Sequence, residues 1–322
     1  MTRPRRAPLR PLPRWTLPAT LLVLLGLAAW INEPIPGVTG LEARAVAALP
    51  VAPAFRAGQR VLLLSPHPDD ETLCCAGMLN RARAAGAEVF VTWITAGDGF
   101  EFDAALTERT LRPQGRALRA LGERRVGEAR AAAAVLGIPM DHQVVLGYPD
   151  GGLRFLNGVN FDRPYTSPRT GASATYLREA QTPGAPFTGE ALEADLTRVL
   201  RRVQPDLILI PAHEDFHLDH HTLTLFAQRV AARLGLQGRL RYWVVHGGLE
   251  WPLPKGAHPA LPLVPPPLAR HLPWQRVPLA AEDLAVKTRA VNAYGTQTEV
   301  LGRFMRAFER RNELLSPADT AR

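Results

Sequence analysis

A rhythm of short apolar runs constrains this chain most. Val61–Leu64, the EVFVTWIT segment Glu88–Thr95, Val144–Gly147 and Leu207–Pro211 recur between stretches of helical patterning. Runs this short and continuous read as strands buried on both faces of a parallel sheet. Strands are predicted at 60–65, 88–95, 144–147, 206–211 and 240–246. Helices are predicted at 71–85, carrying Leu73, Met78 and Leu79, and at 123–136, 189–202 and 219–234. Residues 281–313 return as helix, with Lys287, Tyr294 and Gln297 on it or near its end. The alternation specifies an α/β fold, a Rossmann-like, mostly parallel sheet with helices on both faces. Residues 154–187 lack periodicity and read as a long surface loop. Nine prolines between Pro252 and Pro278 exclude a helix or central strand there. They predict a loop wrapping the surface and lining the mouth of a site.

The N-terminal segment is of another kind. Arg3, Arg5, Arg6, Arg10 and Arg14 precede an uncharged run from Trp15 to Asn32, which as a helix spans about 27 Å, enough for a bilayer core. Trp15 and Trp30 stand where interfacial aromatics belong, and the arginine flank directs everything after residue 33 out of the cytoplasm. The competing reading is a cleaved signal peptide, with small residues at Gly26-Leu27-Ala28. A buried soluble helix suits five flanking arginines poorly. The expected organisation is an anchor over 1–33, a Pro/Gly-rich linker over 34–55, one catalytic domain over 56–316 and a tail over 317–322. Net charge is +8, but the arginines are scattered among acids and no nucleic-acid-binding signature is present, so no nucleic-acid partner is expected. Cys74 and Cys75, the only cysteines, are expected to pack as separate small apolar residues, because a disulfide between chain neighbours is strained.

Two of the predicted strands end in unusually polar sequence. Ser65-Pro66-His67-Pro68-Asp69-Asp70-Glu71 follows the first apolar run, and His213-Glu214-Asp215-Phe216-His217-Leu218-Asp219-His220-His221 follows the fourth. Ligands in open α/β sheets bind outside the carboxyl ends of strands, so two such ends suggest one shared metal site. His67 and Asp70, three apart at a turn into a helix, supply two ligands, and His217 or His220 a third. An open fourth position suits catalytic zinc, though two His and one carboxylate also describe non-haem Fe2+ sites. Asp69 or Glu71 is available as a general base. The plainer reading of the first cluster is a helix N-terminus, where carboxylates cap and complement the dipole.

The two motifs together resemble the LmbE-like, or PIG-L, zinc-dependent N-deacetylases, which remove acetyl groups from N-acetylglucosamine-type sugars. The likeness extends to Thr95-Ala96-Gly97-Asp98, Arg125-Val126-Gly127-Glu128, Tyr148-Pro149-Asp150 and Lys287–Gln297, and covers about residues 60–316. It implies that His67, Asp70 and His220 bind Zn2+ and that Asp69 is the base. It further implies that His217 stabilises or protonates the tetrahedral intermediate, with Asp219 holding its ring. Arg125 and Asp150 fall at positions that contact sugar hydroxyls, and Asp98 lies near them. Without the resemblance, Arg125 reads equally as a partner of Glu128 and Asp150 as a turn residue. Asp215 replaces a tyrosine of the family pattern, and His213, His221 and His246 receive no role. Substrate choice is expected in the 154–187 loop and the proline-rich stretch.

The expectation is therefore a membrane-anchored, extracytoplasmic, metal-dependent hydrolase acting on an N-acetylated amino sugar in a glycan or glycolipid. The alternatives are an amidohydrolase of another small amide, a non-catalytic glycan-binding protein on the same fold, and an iron oxygenase, which belongs more often on a β-barrel.

Overall fold

The computed structural model describes residues 16–99, 114–248 and 250–319. The predicted arginine flank and Trp15 lie outside these residues.

The core is a five-stranded, all-parallel sheet in the order β3-β2-β1-β4-β5, made of β1 (Arg60–Ser65), β2 (Glu88–Thr95), β3 (Gln143–Tyr148), β4 (Leu207–Pro211) and β5 (Leu240–Trp243). Val61, Leu62, Leu63 and Leu64 are at most 1% exposed, which is why β1 reads as an unbroken apolar run. The chain steps from β1 to β2 to β3 through α3 (Asp70–Ala84) and α4 (Arg116–Val135). It then returns through α6 (Gly189–Val203) to β4 beside β1, and reaches β5 through α7 (Leu218–Arg233). Right-handed crossovers running in opposite directions place the two pairs of helices on opposite faces. The strand order reverses between β1 and β4, so both polar clusters emerge side by side at the switch point.

Several elements depart from the sequence reading, each for a local reason. The predicted linker contains α2 (Pro36–Ala47), with Pro36 in its first turn, where a missing N–H costs nothing. Helix α4 begins seven residues before the predicted start, and Gly122 lies within it as a close contact point. A Cβ there would stand 3.0 Å from the Ala96 Cβ and 3.1 Å from the Asp98 Cβ. The stretch 154–187 is not a surface loop. After the short α5 (Leu153–Leu156) it sends Leu177 and Phe187 into the core, and its backbone bonds run both internally and to the rest of the fold, as from Gln181 N–H to Val145 O (2.8 Å) and from Gly115 N–H to Arg169 O (2.7 Å).

The region 281–313 is two helices, α8 (Ala281–Asn292) and α9 (Gly295–Arg306), followed by β7 (Asn312–Leu315). Strand β7 pairs antiparallel with β6 (Gln275–Pro278), so the proline-rich stretch does supply a strand, one with its proline at the end. Strand β5 stops three residues short of the prediction, because the Val245 and His246 N–H groups donate instead to the Asp215 carboxylate (2.8 and 3.1 Å). In the predicted tail, Asp319 accepts from the His213 N–H (3.3 Å). Cys74 and Cys75 are joined as a vicinal disulfide on the buried side of α3, contrary to the expectation of separate residues. Helix α1 (Thr16–Asn32) leaves Leu21, Leu22, Leu24, Leu25 and Leu27 in the open, Leu22 being 70% exposed, so the buried-helix reading fails. By length and composition α1 suits a membrane span or a signal sequence.

Candidate metal centre

Three side chains from the two strand ends converge on one point. His67 Nδ1 lies 3.1 Å from Asp70 Oδ2, His220 Nε2 lies 3.1 Å from the same oxygen, and the two ring nitrogens are 3.3 Å apart. Asp70 opens α3 and His220 lies in the first turn of α7, so the helix starts aim both inward. An ion about 2.0–2.1 Å from each donor in a tetrahedral arrangement spaces its donors about 3.3–3.4 Å apart, and this triangle fits it. The remote nitrogens fit as well. His67 Nε2 faces Asp219 Oδ2 (3.3 Å) and Asp150 Oδ1 (3.4 Å), while His220 Nδ1 faces Asp215 Oδ2 (3.1 Å). Carboxylates behind ligating imidazoles fix the tautomer and strengthen the donors.

The electrostatics also call for a cation. Burial would push the His220 ring down, but Asp215 and Asp70 outweigh it and hold its pKa at about 9. Burial likewise opposes charge on His67, whose pKa is nonetheless raised by Asp150, Asp219 and Asp70. Burial would raise Asp215, yet His220, His246 and the Val245 N–H hold it below the usual carboxylate range. Acids surround a point that imidazoles alone can neutralise only by taking protons.

Beside the triangle lies a pocket of about 300 Å³, lined by Asp69, Arg125, Asp150, Arg169, His217 and His246 among others. Asp69 adopts φ 114°, a strained backbone for a residue with a Cβ. Its N–H donates to Glu71 Oε2 (3.2 Å) and its carboxylate accepts from Arg125 (3.1 Å). Burial, partly offset by Arg125, pushes the Asp69 carboxyl up to about 8. Glu71 is excluded as the base, because it is fully buried and accepts from Tyr294 Oη, Trp93 Nε1 (3.0 Å) and Thr72 Oγ1 (2.8 Å).

His217 caps α7 by accepting the Asp219 N–H at Nδ1 (3.2 Å), which leaves its proton on Nε2. Burial, then the neighbouring rings, depress its pKa to about 2, so the ring stays neutral. The Asp219 carboxylate does not hold that ring as expected. It is turned to His67 and to the Gly151 and Leu153 N–H groups (2.6 and 3.2 Å), which ties β3 to the site.

Arg125 lines the pocket and grips Gly97 O (2.6 Å) and Pro68 O (2.7 Å), while Glu128 bonds the Thr296 N–H instead (2.9 Å). Asp150 also lines the pocket, held by the Gly99 N–H (2.8 Å). Asp98 stands behind the lining, with Tyr176 Oη donating to it (2.8 Å) and the Asp150 N–H approaching it (3.4 Å), so the structure places it in support of Asp150. Of the expected substrate-choosing segments, 154–187 contributes Arg169, whereas none of 252–278 lines this pocket. Leu301, Phe304 and Met305 of α9 form that wall. Sequence reasoning missed Asp215 as the His220 partner, along with Arg169, His246 and the α9 wall. Only Asp215 carried a signal, as an extra acid within the second cluster.

The family described as PIG-L: GlcNAc-PI de-N-acetylase matches residues 62–231, more than half of the chain. The chain belongs to the PIG-L family. The 1D-myo-inositol 2-acetamido-2-deoxy-alpha-D-glucopyranoside deacetylase of Tsukamurella paurometabola is 30% identical over 205 residues, 59% of this chain and 63% of that protein. The corresponding deacetylase 1 of Saccharopolyspora erythraea is 30% identical over 75% of this chain and 78% of its own length. The chain spans between half and two thirds of three other such relatives, among them the Tsukamurella protein. The crystal structure of the antimicrobial reagent A40926 pseudoaglycone deacetylase superposes with a TM-score of 0.52 at 18% identity, over 80% of this chain and 96% of that one. At that identity the likeness supports the PIG-L fold alone.

Proposed function

We propose that this PIG-L protein is a metal-dependent N-deacetylase, with zinc as its metal, acting on an N-acetylated amino sugar outside the cytoplasm and held to the membrane by α1. The observation that carries the reading is the convergence of His67, Asp70 and His220, at ion-sized spacing, beside a pocket where Asp69 and His217 face the same space. A divalent ion held there supplies Lewis acidity to a water molecule and to an amide carbonyl. Asp69, held by Glu71 and Arg125, takes the proton from the attacking water and passes it to the leaving amine. His217 donates a hydrogen bond from its Nε2–H to the oxygen on which negative charge develops, its tautomer being fixed by the helix cap. Arg125 and Asp150 line the pocket on the side available to sugar hydroxyls, and Arg169 joins them. The relatives' names support an amino-sugar amide as the substrate. An extracytoplasmic position agrees with α1 and the arginines before it.

The test is acetate release by the full-length protein in detergent, across N-acetylglucosamine monomers, oligomers and lipid-linked forms, with bound metal measured in parallel. Zinc near one per chain is expected. Asp69→Ala is expected to keep the metal and lower kcat by about 10²–10⁴-fold. A metal-loaded protein that releases acetate from none of these sugars would refute the substrate class.

A further inference from the structure

Helix α1 ends against the catalytic end of the domain, and beside that junction lies an apolar cleft that the metal centre does not use. The Lys255 N–H donates to Ile31 O (2.8 Å), and Arg303 Nη2 donates to Asn32 Oδ1 (2.8 Å). Arg303 lies on α9 between Leu301 and Phe304, both on the wall of the metal-centre pocket. The pocket wall is therefore within one helical turn of the point where α1 joins the domain.

The cleft, of about 240 Å³, is bounded by this end of α1, by α2 and by the chain from 251 to 270. Trp30, Ile35, Val38, Trp251, Leu253 and Val264, with three prolines, form its apolar wall, and its polar lining is Glu33, Thr39, Glu42 and Arg270. Ile35 (42%) and Val38 (46%) are exposed, as are Leu41 (68%) and Leu268 (45%), chain neighbours of cleft residues. The cleft thus opens on an apolar face of the kind that marks a membrane or partner surface. Continuity decides which. The face runs directly into α1, whose Leu21, Leu22, Val23, Leu24 and Leu25 are each more than half exposed. A helix that crosses a bilayer puts its terminal tryptophan at the headgroup boundary, and Trp30 is itself part of the cleft wall.

We propose that this face lies on the bilayer, that the cleft takes an acyl chain of a membrane lipid, and that the metal-centre pocket is thereby held beside the membrane surface. The proposal rests on the reading of α1 as a retained anchor.

The experiment reads tryptophan emission of the full-length protein in phosphatidylcholine vesicles, with and without bromine on the acyl chains. Subtracting the signal of Trp251→Phe isolates Trp251, which is 5% exposed at the cleft. The expected result is at least twofold quenching of that component by the brominated lipid. An Ile35→Glu/Val38→Glu double variant is expected to lose at least half of the quenching while acetate release from a soluble sugar is kept. An unquenched Trp251, in protein whose intact mass shows residues 16–32 present, overturns the proposal and leaves the cleft to a second copy, to the chain's first 15 residues or to water. A mass lacking residues 16–32 overturns the anchor reading and the proposal with it. Neither result bears on the deacetylase chemistry, which the soluble-sugar assay reports separately.

Discussion

Asp215→Asn separates the metal centre from its support without touching a proposed ligand. Asp215 Oδ2 lies 3.1 Å from His220 Nδ1 and accepts from the Val245 and His246 N–H groups (2.8 and 3.1 Å), while Oδ1 accepts from the His217 N–H (3.0 Å). Asparagine keeps one oxygen. Its better orientation puts that oxygen where three donors meet, which turns its NH2 group toward the His217 N–H. One half-buried backbone donor is then unpaired, at a cost of about 1 kcal/mol. The imidazole of His220 also loses the negative charge behind it, and losses of that kind typically weaken metal affinity about 10–100-fold. Two measurements follow, chelator competition for metal affinity and urea unfolding of the metal-free protein. Both are expected to show these losses, while kcat at saturating metal falls less than about tenfold, because Asp69 and the three ligands remain. Wild-type affinity in the variant would refute the role given to Asp215. So would loss of turnover at saturating metal, because it would place this carboxylate in the chemistry itself.

Other consequences are as direct. Stripping the protein with a chelator is expected to abolish acetate release and lower Tm, with both restored by zinc; activity that survives with no bound metal would refute the centre. Tyr294→Phe removes a donor from Glu71, the carboxylate that holds the Asp69 backbone. It is expected to cost about 1–3 kcal/mol of stability and to lower kcat more than it changes KM; an unchanged kcat would show that Asp69 needs no such support. Burial, reinforced by Asp150, raises the Asp98 carboxyl to about 7, against about 3.9 in the unfolded chain. A raised carboxyl keeps its proton longer in the folded state, so the contribution of Asp98 to stability falls as pH rises from about 4 to about 7 and then levels. Asp98→Asn keeps an acceptor for Tyr176 and escapes that fall, so its Tm relative to wild type is expected to rise across this window; parallel curves would exclude ionisation of Asp98 there.

What was legible in the sequence and what was not divides along one physical line. The triad could be read because each half sits at a strand end. Buried parallel strands announce themselves as apolar runs, and β1 and β4 become neighbours through the crossover rule although far apart in the chain. The PIG-L resemblance then supplied the choice of His220 over His217, which spacing alone left open. What the sequence hid are the partners that a backbone path decides. The resemblance made Asp219 the holder of the His217 ring. Yet the start of α7 points that carboxylate back across the sheet to His67 and the turn after β3, and only its N–H meets His217. Asp215 took its place behind His220 because the chain after β5 leaves the sheet and folds its N–H groups onto it. The wall at Leu301–Met305 depends on the break between α8 and α9, where one long helix was expected. Each missed contact depends on turns and element ends set by tertiary structure, a relation with no sequence period. Side chains proposed as ligands can be found by residue type and spacing, whereas those proposed to orient them are found only once the turns are placed.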